Sequence, residues 1–153
     1  MRLTTHTDYS LRLLILLGLR PGTPVTIAEV ADAYTISPSH LAKVAQSLTK
    51  LGFVQTVRGR RGGLRLALPP EAINLGDLVR AIEPDWRLVE CFEPAGNACA
   101  LTPACRLKGV LQQAMGGFFG VLDGVRLSDL LENRLHMQAL LRIESRAAVQ
   151  PSP

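Results

Sequence analysis

The sequence predicts a mainly α-helical protein that carries one β-hairpin, and three observations support this prediction. Apolar residues recur at intervals of three and four along most of the chain, which is the periodicity of amphipathic helices. A β-type run covers residues 53–57, and leucines alternate over residues 64–68. Hydrophobic residues make up 47% of the 153 residues and aromatic residues only 5%, so we expect a core built of aliphatic side chains on helices.

The first predicted helix covers residues 8–19, with Thr7 as its N-cap. Its apolar stripe is so wide that the helix must be buried on most sides. Asp8 lies in its first turn, where the helix dipole favours a carboxylate.

A helix-turn-helix is predicted next. Thr26 and Glu29 have the spacing of a capping box, which predicts a short helix over residues 27–34. Ser37 and Pro38 then supply an N-cap and a first-turn proline for a second helix. Two short helices joined by about three residues are typical of this motif.

The β run at 53–57 and the alternating segment at 64–68 predict a hairpin whose turn is Arg-Gly-Arg-Arg-Gly-Gly, residues 58–63. A helix-turn-helix followed by a β-hairpin is a winged helix. The fold class predicted for the chain is therefore mainly α, with a winged helix-turn-helix DNA-binding domain and a long C-terminal dimerisation helix.

The second half begins with a helix predicted over residues 75–83, capped by Asn74. The longest helical pattern, 104–124, has a wide apolar stripe that lies outside a compact winged helix, and we interpret it as the dimerisation helix. A weaker helical pattern covers 128–141. The predicted division is a winged-helix domain (1–70), a connecting helix and cysteine-containing loop (71–105), a dimerisation helix with a C-terminal helical segment (106–141) and a flexible tail (142–153).

The charge of the first 65 residues points to nucleic acid. They carry nine lysines and arginines against three acids, within a chain of net charge +4. The second helix of the motif would lie in the major groove and the hairpin arginines in a minor groove; the alternative is a merely solvated surface. The predicted DNA contacts are Ser37, Ser39, His40, Lys43, Gln46, Lys50, Arg58, Arg60 and Arg61.

Several function classes are disfavoured. The apolar run at residues 13–17 is too short for a secretory signal or a membrane span, so we expect a cytoplasmic protein with no membrane partner. No nucleophile–base pair and no nucleotide-binding glycine loop is evident, so we do not expect an enzyme.

All three cysteines, Cys91, Cys99 and Cys105, lie in one irregular segment with gaps of seven and five residues. An odd number of cysteines in a chain without an export signal favours metal or redox chemistry over a disulfide framework. Thiolates are the usual ligands of iron–sulfur clusters. Zinc and a bare thiol switch are the alternatives that the spacing leaves open, although zinc sites usually have shorter gaps.

The chain resembles, nearly end to end, the iron–sulfur winged-helix transcriptional repressor family, and within it the nitric-oxide-sensing NsrR group. The matching segments are Met1-Arg-Leu-Thr4, Thr7-Asp-Tyr9, Arg58-Gly-Arg-Arg-Gly-Gly63, Asp77-Leu-Val-Arg-Ala-Ile-Glu83, Leu88-Val-Glu-Cys91, Leu101-Thr-Pro-Ala-Cys-Arg-Leu107 and Leu127-Ser-Asp-Leu130.

The resemblance implies a homodimer that binds a palindromic operator in double-stranded DNA and releases it in response to nitric oxide. It further implies a cluster held by Cys91, Cys99 and Cys105 of one chain and by Asp8 of the partner chain. The family favours a [4Fe–4S] cluster over [2Fe–2S]. An iron- or cluster-status repressor of the RirA or IscR type is the alternative, but IscR-type proteins use a histidine in the cluster region, and this chain has none between His40 and His136.

Overall fold

In a computed structural model the described residues, 2–93 and 95–143, form six α-helices and a two-stranded antiparallel sheet. This arrangement confirms the predicted winged-helix fold class. Short 3-10 turns cover Pro70–Ala72, Glu90–Phe92, Thr102–Ala104 and Asp129–Leu131. The helices are α1 (Thr5–Leu19), α2 (Ile27–Tyr34), α3 (Pro38–Lys50), α4 (Leu75–Ile82), α5 (Arg106–Asp123) and α6 (Arg134–Leu140), and the strands are β1 (Val54–Val57) and β2 (Gly63–Leu66).

The core is arranged around α1. Leu13, Leu14 and Leu19 are completely buried, and α1 packs against α3, α4, α6 and β2. The wide apolar stripe predicted that the first helix is buried on most sides, and this is confirmed. One continuous cluster of buried residues joins the helix-turn-helix and the hairpin to α4 and to Leu127.

The hairpin is attached to the helix-turn-helix by backbone hydrogen bonds. β1 pairs with β2 in the register Val54 to Leu66, and Val25 exchanges two further bonds with Leu64 at 2.9 and 2.7 Å. Gly63 is needed beside this contact, because a Cβ there would lie 2.7 Å from the carbonyl oxygen of Val25. The orientation of the wing relative to α3 is thus set by main-chain contacts.

The first helix begins earlier than the sequence predicts. Thr4, not Thr7, is the N-cap of α1, and its hydroxyl accepts a hydrogen bond from the Thr7 amide at 3.3 Å. Thr7 is instead buried, with its hydroxyl donated to the carboxylate of Glu83. Which of the two threonines caps α1 therefore depends on Glu83, a residue far along the chain.

One cap and two other boundaries also differ from the prediction. Ser37 occupies the N-cap position of α3 without capping it, and its hydroxyl instead pairs with that of Ser39 at 2.9 Å. α5 begins at Arg106 because a 3-10 turn precedes it, and the predicted helix over 128–141 is divided into the 3-10 turn at Asp129–Leu131 and α6. Of the predicted flexible tail, Arg142 and Ile143 form a turn that follows α6, and residues 144–153 lie outside the described part.

Replacing Thr26 by alanine is expected to lower the free energy of unfolding by about 1 kcal/mol, because Thr26 caps α2. Its hydroxyl accepts from the Glu29 amide at 3.2 Å, while the Glu29 carboxylate accepts from the Thr26 amide at 2.7 Å. Burial opposes ionisation of Glu29, but hydrogen bonds from Thr26 and Arg20 outweigh it and lower its pKa.

A carboxylate with a lowered pKa contributes stability above its ordinary pKa and loses it as pH falls through the folded-state value. The difference in the free energy of unfolding between Thr26→Ala and the parent, measured in denaturant titrations, should therefore become smaller as the pH falls below about 4. A difference that is independent of pH would contradict a contribution from the hydrogen bond that the Thr26 hydroxyl donates to Glu29 Oε2 at 2.8 Å.

None of the described helices combines the length and the apolar character that crossing a membrane requires.

Candidate nucleic-acid interface and cysteine loop

The exposed side of α3 collects the predicted base- and phosphate-contacting residues. The opposite side, Leu41, Val44 and Leu48, is buried in the core, so the exposed side is rigidly supported. The exposed predicted contacts on α3 and at its start are Ser37, Ser39, His40, Lys43, Gln46 and Lys50.

The tip of the hairpin presents the predicted arginines to solvent. Arg58, Arg60 and Arg61 are all exposed. The turn between them depends on glycine, because Gly59 has a φ of 114° and its carbonyl accepts from the Gly62 amide at 2.9 Å. Three guanidinium groups on a tight turn can enter a narrow groove or bind phosphates. Their DNA contacts stay predictions.

A cluster of two tyrosines, an arginine and a histidine joins α1 to α2 and α3, and sequence reasoning missed it. The Tyr9 ring lies 6.4 Å from that of His40, centroid to centroid. The Arg12 guanidinium carbon lies 5.9 Å from the ring centroids of Tyr9 and Tyr34. Burial raises the pKa of Tyr34 to about 12, although the charge of Arg12 acts against it, so this ring is neutral at ordinary pH.

Asp8, the predicted fourth ligand, is engaged within its own chain. Arg12 Nε donates to Asp8 Oδ1 at 3.0 Å, and Arg12 Nη2 lies 2.8 Å from Asp8 Oδ2. The spacing of four residues between an acid and an arginine is a signal that could have found this pair. The Asp8 side chain is 45% exposed, so it remains accessible to a second chain.

The start of α1 is bound to the end of α4 through Glu83, whose carboxylate is buried. It accepts hydrogen bonds from the Thr4 amide at 3.2 Å, from the Thr4 hydroxyl at 3.1 Å and from the Thr7 hydroxyl. An acid at a helix C-terminus is disfavoured by the dipole, which is the sequence signal that Glu83 has a partner elsewhere.

The cysteine loop, residues 91–105, is held by local hydrogen bonds. The Ala98 amide donates to Glu90 Oε1 at 2.5 Å, which brings the neighbours of Cys91 and Cys99 together. Asn97 Nδ2 donates to the Thr102 hydroxyl at 2.9 Å. Cys105 then occupies the N-cap position of α5. Apart from residue 94, the loop is thus a set of turns joined directly to the long helix.

The donor chemistry of this loop fits an iron–sulfur cluster. Cys91 and Cys105 are partly exposed, Cys99 is exposed, and all three thiols are free. Within the described residues, no group of three histidine, cysteine, aspartate or glutamate side chains is already placed to hold a metal ion. Binding therefore requires the three thiols to turn towards a common point, with a fourth ligand from elsewhere.

The segment just before the cysteine loop is packed against α5 by aromatic contacts. The Trp86 ring lies 4.6 Å from that of Phe119, edge to face, and its buried Nε1 has no hydrogen-bond partner among the described residues. The Arg80 guanidinium carbon lies 4.2 Å from the Phe119 ring centroid, and Arg80 also donates to both carboxylate oxygens of Asp123 at 2.5 and 2.8 Å. These hydrogen bonds lower the pKa of Asp123.

The outer face of α5 is apolar and exposed. Within α5, Met115 is the one buried residue, whereas Leu107, Val110 and Val121 are 61%, 52% and 70% exposed. Exposed apolar residues at intervals of three and four form a single stripe along the helix, which is typical of a helix–helix interface. We define the outer stripe of α5 as Leu107, Val110, Ala114, Gly117 and Val121.

Comparison with known proteins places these features in a family. The family model Rrf2, described as an iron-dependent transcriptional regulator, matches residues 3–133. Relatives named HTH-type transcriptional regulator NsrR include one from Shouchella clausii that is 47% identical over 146 residues, covering 95% of this chain and 98% of the relative. The Bacillus subtilis relative of that name is 46% identical over 145 residues, covering 94% and 99%.

Solved structures give the same fold. The T. potens IscR structure has a TM-score of 0.70 and 25% identity, covering 87% of this chain and 88% of that one. The structure of CymR (YrzC), the global cysteine regulator of B. subtilis, has a TM-score of 0.66 and 27% identity, covering 87% and 98%.

Proposed function

The chain belongs to the Rrf2 family of transcriptional regulators, and from this premise we propose that it is a homodimeric cytoplasmic repressor that senses nitric oxide through an iron–sulfur cluster. Family membership makes it a DNA-binding transcriptional regulator. The observation that carries the finer proposal is the union of a basic winged helix with three free thiols on one loop.

In this proposal residues 1–70 bind the operator. α3 enters the major groove, where Ser39, His40, Lys43 and Gln46 are exposed to base edges and phosphates. The arginines of the hairpin tip bind the neighbouring minor groove. Because two protomers bind together, the operator is a palindrome whose half-sites follow the spacing of the two α3 helices.

The dimer forms through the outer stripe of α5. Exposed apolar side chains at intervals of three and four residues bury little surface in one chain, but they pack well against a second copy. Gly117 within the stripe has open space where a Cβ would lie, so a second backbone has room to approach closely.

Cys91, Cys99 and Cys105 would hold the cluster, with Asp8 of the partner subunit as the fourth ligand. A carboxylate binds soft iron less firmly than a thiolate does, so the Asp8 position is the one that opens to a competing ligand. When bound, the cluster supplies iron that reacts with nitric oxide. The chain itself supplies the link to DNA, because Asp8 lies on the helix that packs against α3.

Nitric oxide is expected to weaken operator binding by the protein prepared without oxygen. Anaerobic protein of known iron content would be titrated with nitric oxide while operator binding is followed by fluorescence anisotropy. A coupling between two sites typically changes affinity by about 5- to 150-fold. Unchanged affinity after complete reaction would reject the sensor function, and colourless protein that contains zinc would favour the zinc alternative.

The second candidate is an iron-status repressor, because the matching family is described as iron-dependent. The exposure of Cys99 favours ready loss of a cluster. Derepression under iron chelation without nitric oxide, combined with no response to nitric oxide, would select this candidate.

A further inference from the structure

The three cysteines lie in three separate turns of the main chain. Cys91 lies within the 3-10 turn Glu90–Phe92, and Cys105 ends a second 3-10 turn and occupies the N-cap position of α5. Between these turns, the carbonyl oxygen of Cys99 accepts a hydrogen bond from the Thr102 amide at 3.2 Å. Because gaps of seven and five residues separate the cysteines, the thiols can meet at one metal only if the turns are held close together.

Glu90 joins the turn of Cys91 to the segment of Cys99. Its Oε1 atom accepts a hydrogen bond from the Ala98 amide at 2.5 Å, across eight residues of sequence. The two residues joined in this way are the immediate neighbours of the two cysteines. Closing a flexible loop costs conformational entropy, so a contact that closes it before the metal binds lowers the cost of bringing the two thiols together.

Asn97 joins the segment of Cys99 to the turn that leads to Cys105. Its Oδ1 atom accepts a hydrogen bond from the Cys99 amide at 3.1 Å, and its Nδ2 atom donates to the Thr102 hydroxyl at 2.9 Å. With the bond from the Thr102 amide, both main-chain polar groups of Cys99 are engaged within the loop. The direction of the main chain at this cysteine is therefore set by one side chain and one turn.

We propose that Glu90 and Asn97 are positioning residues that arrange the main chain of the three cysteines before a metal binds. The proposal rests on the proposed function in that the metal is the iron of a cluster held by these thiols. Both residues act through the cysteines and do not bind iron themselves. The thiols must still turn towards a common point, but the main chain that carries them does not have to be ordered at that moment.

The effect of these two residues can be separated from the stability of the fold. Neither of them, and none of the described residues of the cysteine loop, belongs to the buried core cluster. Substitutions at Glu90 and Asn97 are therefore expected to leave the winged helix folded, which circular dichroism and thermal unfolding verify.

Cobalt(II) binding to the full chain prepared without iron and without oxygen tests the proposal. Thiolate ligation of cobalt gives a charge-transfer absorption that can be titrated, at one fixed pH because thiol ligands must lose their protons. We expect Glu90→Ala and Asn97→Ala each to weaken cobalt binding about three- to ten-fold, the effect of losing one or two hydrogen bonds. Parent-like binding by both alanine variants overturns the proposal, as does a parent protein whose thiols do not bind cobalt.

Glu90→Gln and Asn97→Asp are the matched controls. Each keeps an oxygen that can accept the hydrogen bond from the same amide, and the Thr102 hydroxyl can donate to the new carboxylate at position 97. The first substitution removes a negative charge from the loop, whereas the second adds one. If the residues act by positioning, both variants bind cobalt as the parent does. If charge determines the affinity, the two variants shift it in opposite directions by as much as the alanine variants do, and this result also overturns the proposal.

A second measurement separates this proposal from the function on which it rests. In the anaerobic, iron-loaded protein, both alanine variants should release iron to a chelator about three- to ten-fold faster than the parent, with an unchanged absorption spectrum because the ligands are the same. Equal release rates together with a normal response to nitric oxide overturn the positioning role alone. Protein that never binds iron, or that ignores nitric oxide, rejects the sensor function, while the cobalt titrations still decide the roles of Glu90 and Asn97.

Discussion

Cys99→Ala is expected to give a colourless protein that contains little iron when prepared without oxygen. Cys99 is the most exposed of the three cysteines in the loop, and three thiolates are already fewer than the four ligands that clusters usually have. Two thiols and one carboxylate are too few to hold iron firmly. We also expect operator affinity to fall about 10- to 100-fold, the range of an ordinary coupling between two sites.

Three measurements check this expectation: the absorption spectrum, the iron content and operator binding under anaerobic conditions. Trp86 is the only tryptophan of the chain and lies just before the loop, so its fluorescence gives an independent signal of cluster loading. Ala100→Ser is the matched control, because it alters an exposed neighbour of Cys99 without touching a thiol. A brown Cys99→Ala protein that binds the operator normally would refute the assignment of this ligand.

Val110→Glu is expected to convert the dimer to a monomer and to abolish operator binding at ordinary concentrations. Val110 lies in the outer stripe of α5 and is 52% exposed in the single chain, so the substitution leaves the core intact. In a dimer it would bury a carboxylate without a partner, which costs several kcal/mol. About 4 kcal/mol corresponds to a thousand-fold change in the dissociation constant.

Sedimentation equilibrium measures the change in mass, and thermal unfolding tests whether the monomer remains folded. Gln112→Glu is the matched control. It introduces the same charge into α5 two residues away, on a side of the helix that does not face the stripe. If Val110→Glu still sediments as a dimer, the seam lies elsewhere and the proposed arrangement of the two α3 helices is wrong.

The helix-turn-helix and the hairpin were predictable because their signals are local. The Thr26–Glu29 capping box and the proline at the start of α3 lie within four residues of the boundaries they set. Thr4 and Thr7 are both good capping residues, and choosing between them requires Glu83, which lies 79 residues from Thr4. Periodicity also could not show that the helical pattern after residue 128 is divided, because its apolar spacing continues across the break.

The candidate site likewise has a part that could be predicted from the sequence and a part that could not. The cysteines stand out by their chemistry, because an odd number of thiols crowded on one irregular segment favours metal or redox chemistry. The surroundings of Arg12 could not be predicted, because the rings of Tyr9 and Tyr34 belong to two helices that only the fold brings together. The pairing of Asp8 with Arg12 follows from their spacing, but the contact between the rings of Tyr9 and His40 does not.

The continuous core has a consequence for anyone who wishes to recombine this regulator. Ile73, Leu78 and Leu127 are buried in the same cluster as the leucines of α1. A chimera that grafted residues 1–70 onto a foreign sensor would leave that side of α1 bare. The unit that can be transferred is larger. A functional chimera must include α4 and the segment around Leu127 together with the DNA-binding residues.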